Sequence, residues 1–406
     1  MTHQTEELAA NPREVASSAT AHAGQAEGGL LATELDESFR LHLSSAYWQW
    51  LERFQSDPAA TILHHPDLLF HDLRAQKDLR AHPGFFLQRS FPQGASWAAG
   101  VVPKTVTLPR SAGFGFQSRV QGYRLVGSRF FGNGDIELQQ TFQEELENFL
   151  QQRDANFLLL EDVLQPSQTW SLLTSRPNPI FRMEFLIGMA ARFRIRLPQN
   201  PDDYWRGFSK NARKQNRRLL EENRRFTLWR ATAVDHVPEL LAAVKQVVEN
   251  SWQAERMRVR ICQDESRFDL LTFLAKHGAL RSYVLFDGQT PIAFELDHQW
   301  NGEVISEEAA YDQRYAECGP GRTLLLRVLQ DLFEQDSPTW YDFAAGDWDY
   351  KRRFANDQSL SAKLWLVKRD LRFGLISLLM QTDRTLRSNV RRLREYWRAR
   401  KSLAQT

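Results

Sequence analysis

Two dipeptides, Asp287-Gly288 and Asn301-Gly302, constrain this chain more than any other feature. They join three runs of β-forming residues, "LRSYVLFDG", "TPIAFELDHQW" and "GEVISEEAAYD". Asp-Gly and Asn-Gly supply the positive φ that tight hairpin turns require, so the three runs are expected to fold as consecutive antiparallel strands. A meander of this kind needs further neighbours to bury its apolar face.

Those neighbours are legible on both sides. Upstream lie the strand "FTLWRAT" and helices near 237–250 and 264–277. Downstream a glycine loop, "QRYAECGPG", opens a helix from Arg322 to about Gln335, and the strands "YDFAA" and "AKLWLVK" follow. The first half shows a looser version of the same order. Short β-rich runs begin at Pro83, and a helix over 135–153 carries Phe142, Leu146, Phe149 and Leu150 on one face. The strand "NFLLLED" and two further extended runs ending at "FRIRLP" complete it.

The expected class is α/β (α+β): two related lobes with mixed, mostly antiparallel sheets flanked by helices. The expected divisions are a solvated tail at 1–33, a first lobe at 34–200, a basic linking helix at 201–225, a second lobe at 226–369 and a basic amphipathic helix at 370–406. That last helix aligns Leu371, Leu375, Leu378, Leu386, Val390 and Trp397 opposite arginines, a pattern for packing, for a dimer partner or for peripheral membrane contact.

Two cysteines, Cys262 and Cys318, without CxxC or HExxH spacing, suggest neither a disulfide framework nor a metal site. The first thirty residues lack a basic n-region followed by an apolar h-region, and no segment has eighteen uninterrupted apolar residues. A reducing cytosolic setting without a membrane span is expected.

The formal charge of +2 hides local fields. After Ser209, a reasonable N-cap, a helix carries Lys210, Arg213, Lys214, Arg217 and Arg218 on one face. Five cations there repel one another, which solvation, internal pairing or an anionic ligand such as RNA would relieve. In the glycine loop, Gly319 and Gly321 permit unusual dihedrals, and the next helix turns unpaired N–H groups outward. Arg314, Arg322 and Thr323 flank that place, which suits a pyrophosphate or serves as a plain strand-to-helix turn. The stretch "YDFAAGDWDYKRRF" adds Asp342, Asp347, Asp349 and Lys351 around a single glycine, more charge than a turn needs.

Three segments, "FSKNARKQNRR", "YDQRYAECGPGRTLLL" and "YDFAAGDWDYKRRF", resemble the GNAT N-acetyltransferase superfamily, and within it the FemAB-like and CelD-like acyltransferases. The resemblance covers roughly 201–368 well, and 83–198 by element order alone. It implies tandem acyltransferase lobes using acetyl-CoA or another acyl-CoA and no metal. The acceptor it implies is a small-molecule or glycan amine, such as an envelope or exopolysaccharide amino sugar. The superfamily places Gln or Arg three residues before the first glycine. Here Ala316 stands there and Arg314 lies five before, and FemAB-like relatives take an aminoacyl group from tRNA instead. The resemblance assigns Lys351, of the pair Tyr350-Lys351, to charge stabilisation at the reacting carbonyl. Asp342, Asp347 or Glu307, in the strand before the loop, then serves as base. Lys210, Arg213, Arg217 and Tyr350 are the candidate substrate contacts. A pair of degenerate lobes that binds an anion or glycan without catalysis is the other class.

Overall fold

The computed structural model describes residues 29–57, 60–69, 83–107, 119–133, 135–175, 181–251, 265–336 and 338–369, and the expected amphipathic helix at 370–406 lies outside them. The first half contains β1 (Leu31–Glu34), α1 (Glu37–Arg40), α2 (Ser45–Ser56), β2 (Phe85–Ser90), β3 (Ser96–Thr107), β4 (Arg119–Leu125), β5 (Phe131–Asn133), α3 (Ile136–Gln152), β6 (Phe157–Gln165), α4 (Gln168–Ser175) and β7 (Phe181–Arg196). The second contains α5 (Pro201–Arg206), α6 (Lys210–Glu222), β8 (Phe226–Ala231), α7 (Val237–Glu249), α8 (Glu265–Lys276), β9 (Ser282–Asp287), β10 (Thr290–Trp300), β11 (Glu303–Tyr311), α9 (Pro320–Gln335), β12 (Trp340–Ala345), α10 (Asp349–Phe354) and β13 (Asp357–Lys368).

Both hairpin junctions turn where the sequence places them, with Gly288 at φ 61°, Asn301 at 47° and Gly302 at 76°. Capping is equally local. Asp135 accepts from Leu138 N–H at the start of α3, and Ser209 accepts from Ala212 N–H at the start of α6. Where two extended runs are expected to end at "FRIRLP", the chain forms the helix α4, with Ser167 Oγ accepting from Trp170 N–H, and then one long strand, β7.

The fold is mixed α/β, with one large, mostly antiparallel sheet flanked by helices. Thirteen strands form it, in the order β1-β2-β3-β4-β6-β13-β7-β12-β11-β10-β9-β8, with β5 on β3. Among the described residues only β4/β6 and β11/β12 pair in parallel, each joined through a helix, α3 and α9 respectively. Parallel neighbours require such a crossover, so the two halves repeat one device.

The halves nevertheless do not close separately. β13, the last strand of the second half, inserts between β6 and β7 of the first, and β7 pairs in turn with β12. The cores also interlock: Tyr47, Trp50 and Phe54 of α2 share a buried cluster with Leu240 and Val244 of α7 and Leu271 and Leu274 of α8. Under the other part of the second half, α9 buries Leu324, Val328, Leu329 and Leu332 with Tyr283, Leu285, Ile292 and Tyr341 of the sheet. This packing holds the start of α9 beside the edge where β11 and β12 part.

Candidate active site

β11 and β12 pair only from Glu303/Trp340 to Ile305/Asp342, and both strands are bent beyond that point. On β11 the register against β10 passes from Leu296↔Glu308 to Asp297↔Ser306, leaving Glu307 as the extra residue of a β-bulge. On β12 the register against β7 shifts between Asp342 and Ala345, with Ala344 at φ 55°. A non-glycine residue there is strained, and two contacts hold it. Asp342 Oδ1 accepts from Ala344 N–H at 2.7 Å, and Lys351 Nζ donates to the Phe343 carbonyl at 2.5 Å, with Ala345 O and Ala344 O at 3.3 and 3.4 Å.

The parting strands open a cavity of about 610 Å³. Its walls are Phe294 and Glu295 of β10, Ser306–Tyr311 of β11, Gly321, Arg322, Leu324 and Leu325 of α9, Phe343 and Ala345 of β12, and the segment carrying Trp348, Tyr350, Lys351, Arg353 and Phe354. That volume and its largely apolar lining suit a small ligand. Arg322 and Arg353 supply positive charge. A second cleft, of about 860 Å³, lies between the halves and is lined by Arg124, Glu161, Asp162, Arg192, Glu303 and Glu307 among others. Glu307 belongs to both.

The expected site residues separate by place. Lys351, Tyr350, Glu307, Gly321 and Arg322 come together around the first cavity. Lys351 is buried, and desolvation pulls its ammonium down to about 8, with Asp342 opposing that shift. Tyr350 packs edge-on against Phe343. Gly321 has no positive φ, and a Cβ there would stand 3.4 Å from the Tyr311 ring, an ordinary contact. Gly319 does take the left-handed conformation, at φ 60°.

The remaining candidates face elsewhere. Asp342 is fully buried and ion-paired with Arg192 at 2.7 Å, so its carboxylate fastens β12 to β7. Burial raises its proton affinity, and Arg192 opposes that. Asp347 is exposed and paired with Arg352. Arg314 closes on Asp312 at the surface, away from the cavity lining. Thr323 is buried, donating to Gly319 O at 3.1 Å and accepting from Asn223 Nδ2 at 2.8 Å.

The basic helix α6 is docked on the glycine loop by its inner face. Asn216 Oδ1 accepts from Arg322, and Asn223 Nδ2 donates to Cys318 O at 2.6 Å. Lys210, Lys214, Arg217 and Arg218 lie outside this contact, and Arg213 is half-buried with its Nε–H unpartnered. Arg218 pairs with Glu222 one turn on, so a carboxylate relieves part of the stripe.

Sequence reasoning missed a buried acidic group beneath the cavity. Glu295 and Asp297 of β10 are both buried, and Tyr341 Oη donates to Glu295 at 2.9 Å. Burial lifts Glu295 to about 7, partly offset by Tyr341. Burial raises Asp297 well above its ordinary value, and the neighbouring Glu295 adds to the effect. Next to them, His298 Nδ1 lies 3.4 Å from Glu307, across the bulge. Burial keeps this imidazole neutral against the pull of Glu307. The alternation in "FELDH" was the available signal, since it puts Glu295 and Asp297 two residues apart.

Residues 206–352 match the family described as the acetyltransferase (GNAT) domain. Among solved structures, the chain is similar to FemX, at 10% identity and a TM-score of 0.57, covering 82% of this chain and 98% of that one. It also matches the C-terminal domain of a putative lysylphosphatidylglycerol synthetase from Agrobacterium fabrum, at 12% identity and TM-score 0.45, over 73% and 88% of the two chains. A tandem GNAT protein from the clavulanic acid biosynthesis pathway matches at 11% identity and TM-score 0.41, over 84% and 98%. No curated protein sequence matches. The FemX likeness shows the fold, and no helix among the described residues is long and apolar enough to cross a membrane.

Proposed function

We propose, from a chain that carries a GNAT acetyltransferase domain and is an acyltransferase, that it moves an acyl group, acetyl foremost, from a CoA thioester to a primary amine by direct attack. One observation carries this reading: Glu307 lines both the 610 Å³ cavity and the 860 Å³ cleft. A donor in the first and an acceptor in the second would meet at its carboxylate.

The chemistry follows from the groups present. Between the parting strands, backbone N–H and C=O groups of β11 are free of β12 and can bind an extended amide-bearing arm as a strand would. Arg322 and Arg353, with the start of α9, suit the phosphates at the other end of such a donor. Glu307 accepts the proton that the attacking amine sheds, and His298 holds that carboxylate in place. Lys351 supplies positive charge beside the cavity as the tetrahedral oxyanion forms, and collapse of that intermediate breaks the C–S bond and releases CoA as a thiolate that takes up a proton from solvent. The cleft's mixture of carboxylates, arginines and hydroxyls fits a polyhydroxylated amine, and an amino sugar is the acceptor class we assign.

A second reading, an aminoacyl-tRNA donor, is favoured by one feature: the outward cations of α6 stand on a helix pinned to the glycine loop, where a nucleic-acid backbone could lie. Calorimetry with acetyl-CoA and with bulk tRNA separates the donors. Glu307→Gln tests the shared step. Loss of the base should lower kcat/KM by about 10²–10⁴ with donor affinity unchanged. Turnover within threefold of wild type would remove Glu307 from the mechanism.

A further inference from the structure

Outside the linings of both cavities, Asp67 gathers three histidines: His65 beside it in the chain, His42, and His277 from the second half. Its Oδ1 is saturated: Tyr47 Oη donates to it at 2.8 Å, and His42 Nε2 lies at 2.9 Å. Its Oδ2 instead faces His65 Nδ1 at 3.9 Å and His277 Nε2 at 4.0 Å, too far for a hydrogen bond to either. The two imidazoles lie together, ring centroids 4.2 Å apart, and the ligand atoms of His65, Asp67 and His277 all fall within 4.8 Å of one another.

We propose that His65, Asp67 and His277 bind a single divalent transition-metal ion, Zn²⁺ by ligand class, with His42 and Tyr47 orienting the carboxylate. Two imidazoles and one carboxylate are the nitrogen and oxygen donors that Zn²⁺ takes, and a water fills the fourth position. With Zn–N and Zn–O bonds of about 2.0–2.1 Å, tetrahedral ligand atoms stand roughly 3.3 Å apart. Closing from 3.9 and 4.0 Å, and from up to 4.8 Å across the trio, therefore asks for side-chain movements of about 1 Å. The contact the ion displaces is a weak one, Asp67 N–H to His65 Nδ1 at 3.2 Å.

The protonation states agree with this assignment. Burial, aided by His277, pulls His65 down to about 4, and burial lowers His277 against the pull of Asp67. Both lone pairs are thus available at neutral pH without expelling a proton. The hydrogen bonds to Oδ1 supply the outer-sphere support that metal carboxylates commonly have. Phe54 and Phe273 pack on the two rings, edge-on to His65 and tilted against His277, and limit their movement.

The location gives the ion a structural task. His65 and Asp67 follow α2 in the first half, whereas His277 directly follows α8 in the second. A bound metal would fasten the N-terminal segment to the helices it packs against. This site is independent of the acyl-transfer reading, and its test does not use turnover.

The test uses the full chain stripped with EDTA and titrated with Co²⁺ as the spectroscopic substitute, then with Zn²⁺. The expected result is one equivalent of tetrahedral Co²⁺ absorption, bleached by Zn²⁺, and a melting temperature raised by about 3 °C when Zn²⁺ is a hundredfold above its Kd. Mg²⁺ should produce no rise. Paired substitution His65→Asn with His277→Gln should weaken Zn²⁺ binding by about 100-fold or more. Asp67→Asn keeps an acceptor for His42 and Tyr47, so it preserves the local packing and should cost at least about tenfold. Failure of the wild type to bind one equivalent, an equal response to Mg²⁺, or unchanged affinity in Asp67→Asn would each overturn the site.

Discussion

Replacing Lys351 by Met separates two roles that the structure superimposes on one ammonium group. Met keeps most of the aliphatic stem, so the packing beside Phe343 and Phe354 is largely retained. The ammonium makes one short bond, to Phe343 O at 2.5 Å, and two long ones, to Ala345 and Ala344. A hydrogen bond from a charged donor contributes about 1.5–3 kcal/mol, and the long pair add little. Burial of the ammonium, whose desolvation lowers its pKa, works against this gain, so the net loss should be smaller than about 2 kcal/mol, a fall in melting temperature of less than roughly 3 °C. The bend at Ala344 loses one of its two restraints as well, so amide exchange of 343–346 should accelerate. If the same charge also stabilises the oxyanion, single-turnover acyl transfer should fall by about a hundredfold or more, with donor affinity far less affected.

The pH profile adds a second reading. Desolvation lowers Lys351 to about 8 in the folded protein, below its usual 10.5. Between those values the unfolded chain binds the proton and the folded chain does not. The contribution of this group to stability therefore rises with pH across that window. Wild-type turnover should decline as pH rises through about 8, and Lys351→Met should lose both the decline and the rise in stability. A Met variant that, at equal folded fraction, turns over within threefold of wild type and keeps the alkaline decline would refute the oxyanion role. Unchanged amide exchange across 343–346 would refute the clamp.

Glu295 offers the opposite sign: burial raises it from 4.5 to about 7, so the folded chain holds the proton more tightly than the unfolded one. Its stabilising contribution is complete below pH 4.5 and is lost as pH rises through 7. Glu295→Gln should flatten that segment of the curve of melting temperature against pH, and an unaltered slope would show that the carboxyl titrates normally. On α6, charge reversal of Arg213 and Arg217 to Glu should weaken binding of the anionic donor and reduce the log-log salt slope by about one unit for each phosphate no longer neutralised. Donor affinity and slope equal to wild type would reduce the stripe to a solvated face.

Much of the site was legible in the chain, but unevenly. The glycine loop, the helix after it and Tyr350-Lys351 are contiguous motifs, and they do meet around one cavity. Asp342 was visible as a surplus charge on a strand, yet nothing near it in sequence identified Arg192, 150 residues away, as its partner. Without that partner the carboxylate reads as a free base. Glu307 and Glu308 are neighbours in β11, which strict alternation would send to opposite faces. The bulge at Glu307 breaks that alternation, because a bulge is set by how β11 meets β10.

Sequence alone determined whatever a few neighbouring residues decide. Asp287-Gly288 and Asn301-Gly302 fold their hairpins because glycine and asparagine tolerate positive φ, and Asp135 and Ser209 start their helices because their side chains reach amides three residues on. Tertiary structure alone decided what depends on distant partners. The insertion of β13 between β6 and β7 joins the two expected lobes into one sheet, and no local preference of either half records it. The same holds for the buried acids under the cavity and for the histidines around Asp67. Their proton affinities and positions follow from burial and from neighbours far away in the chain, and burial exists only once the sheet and helices have closed over them.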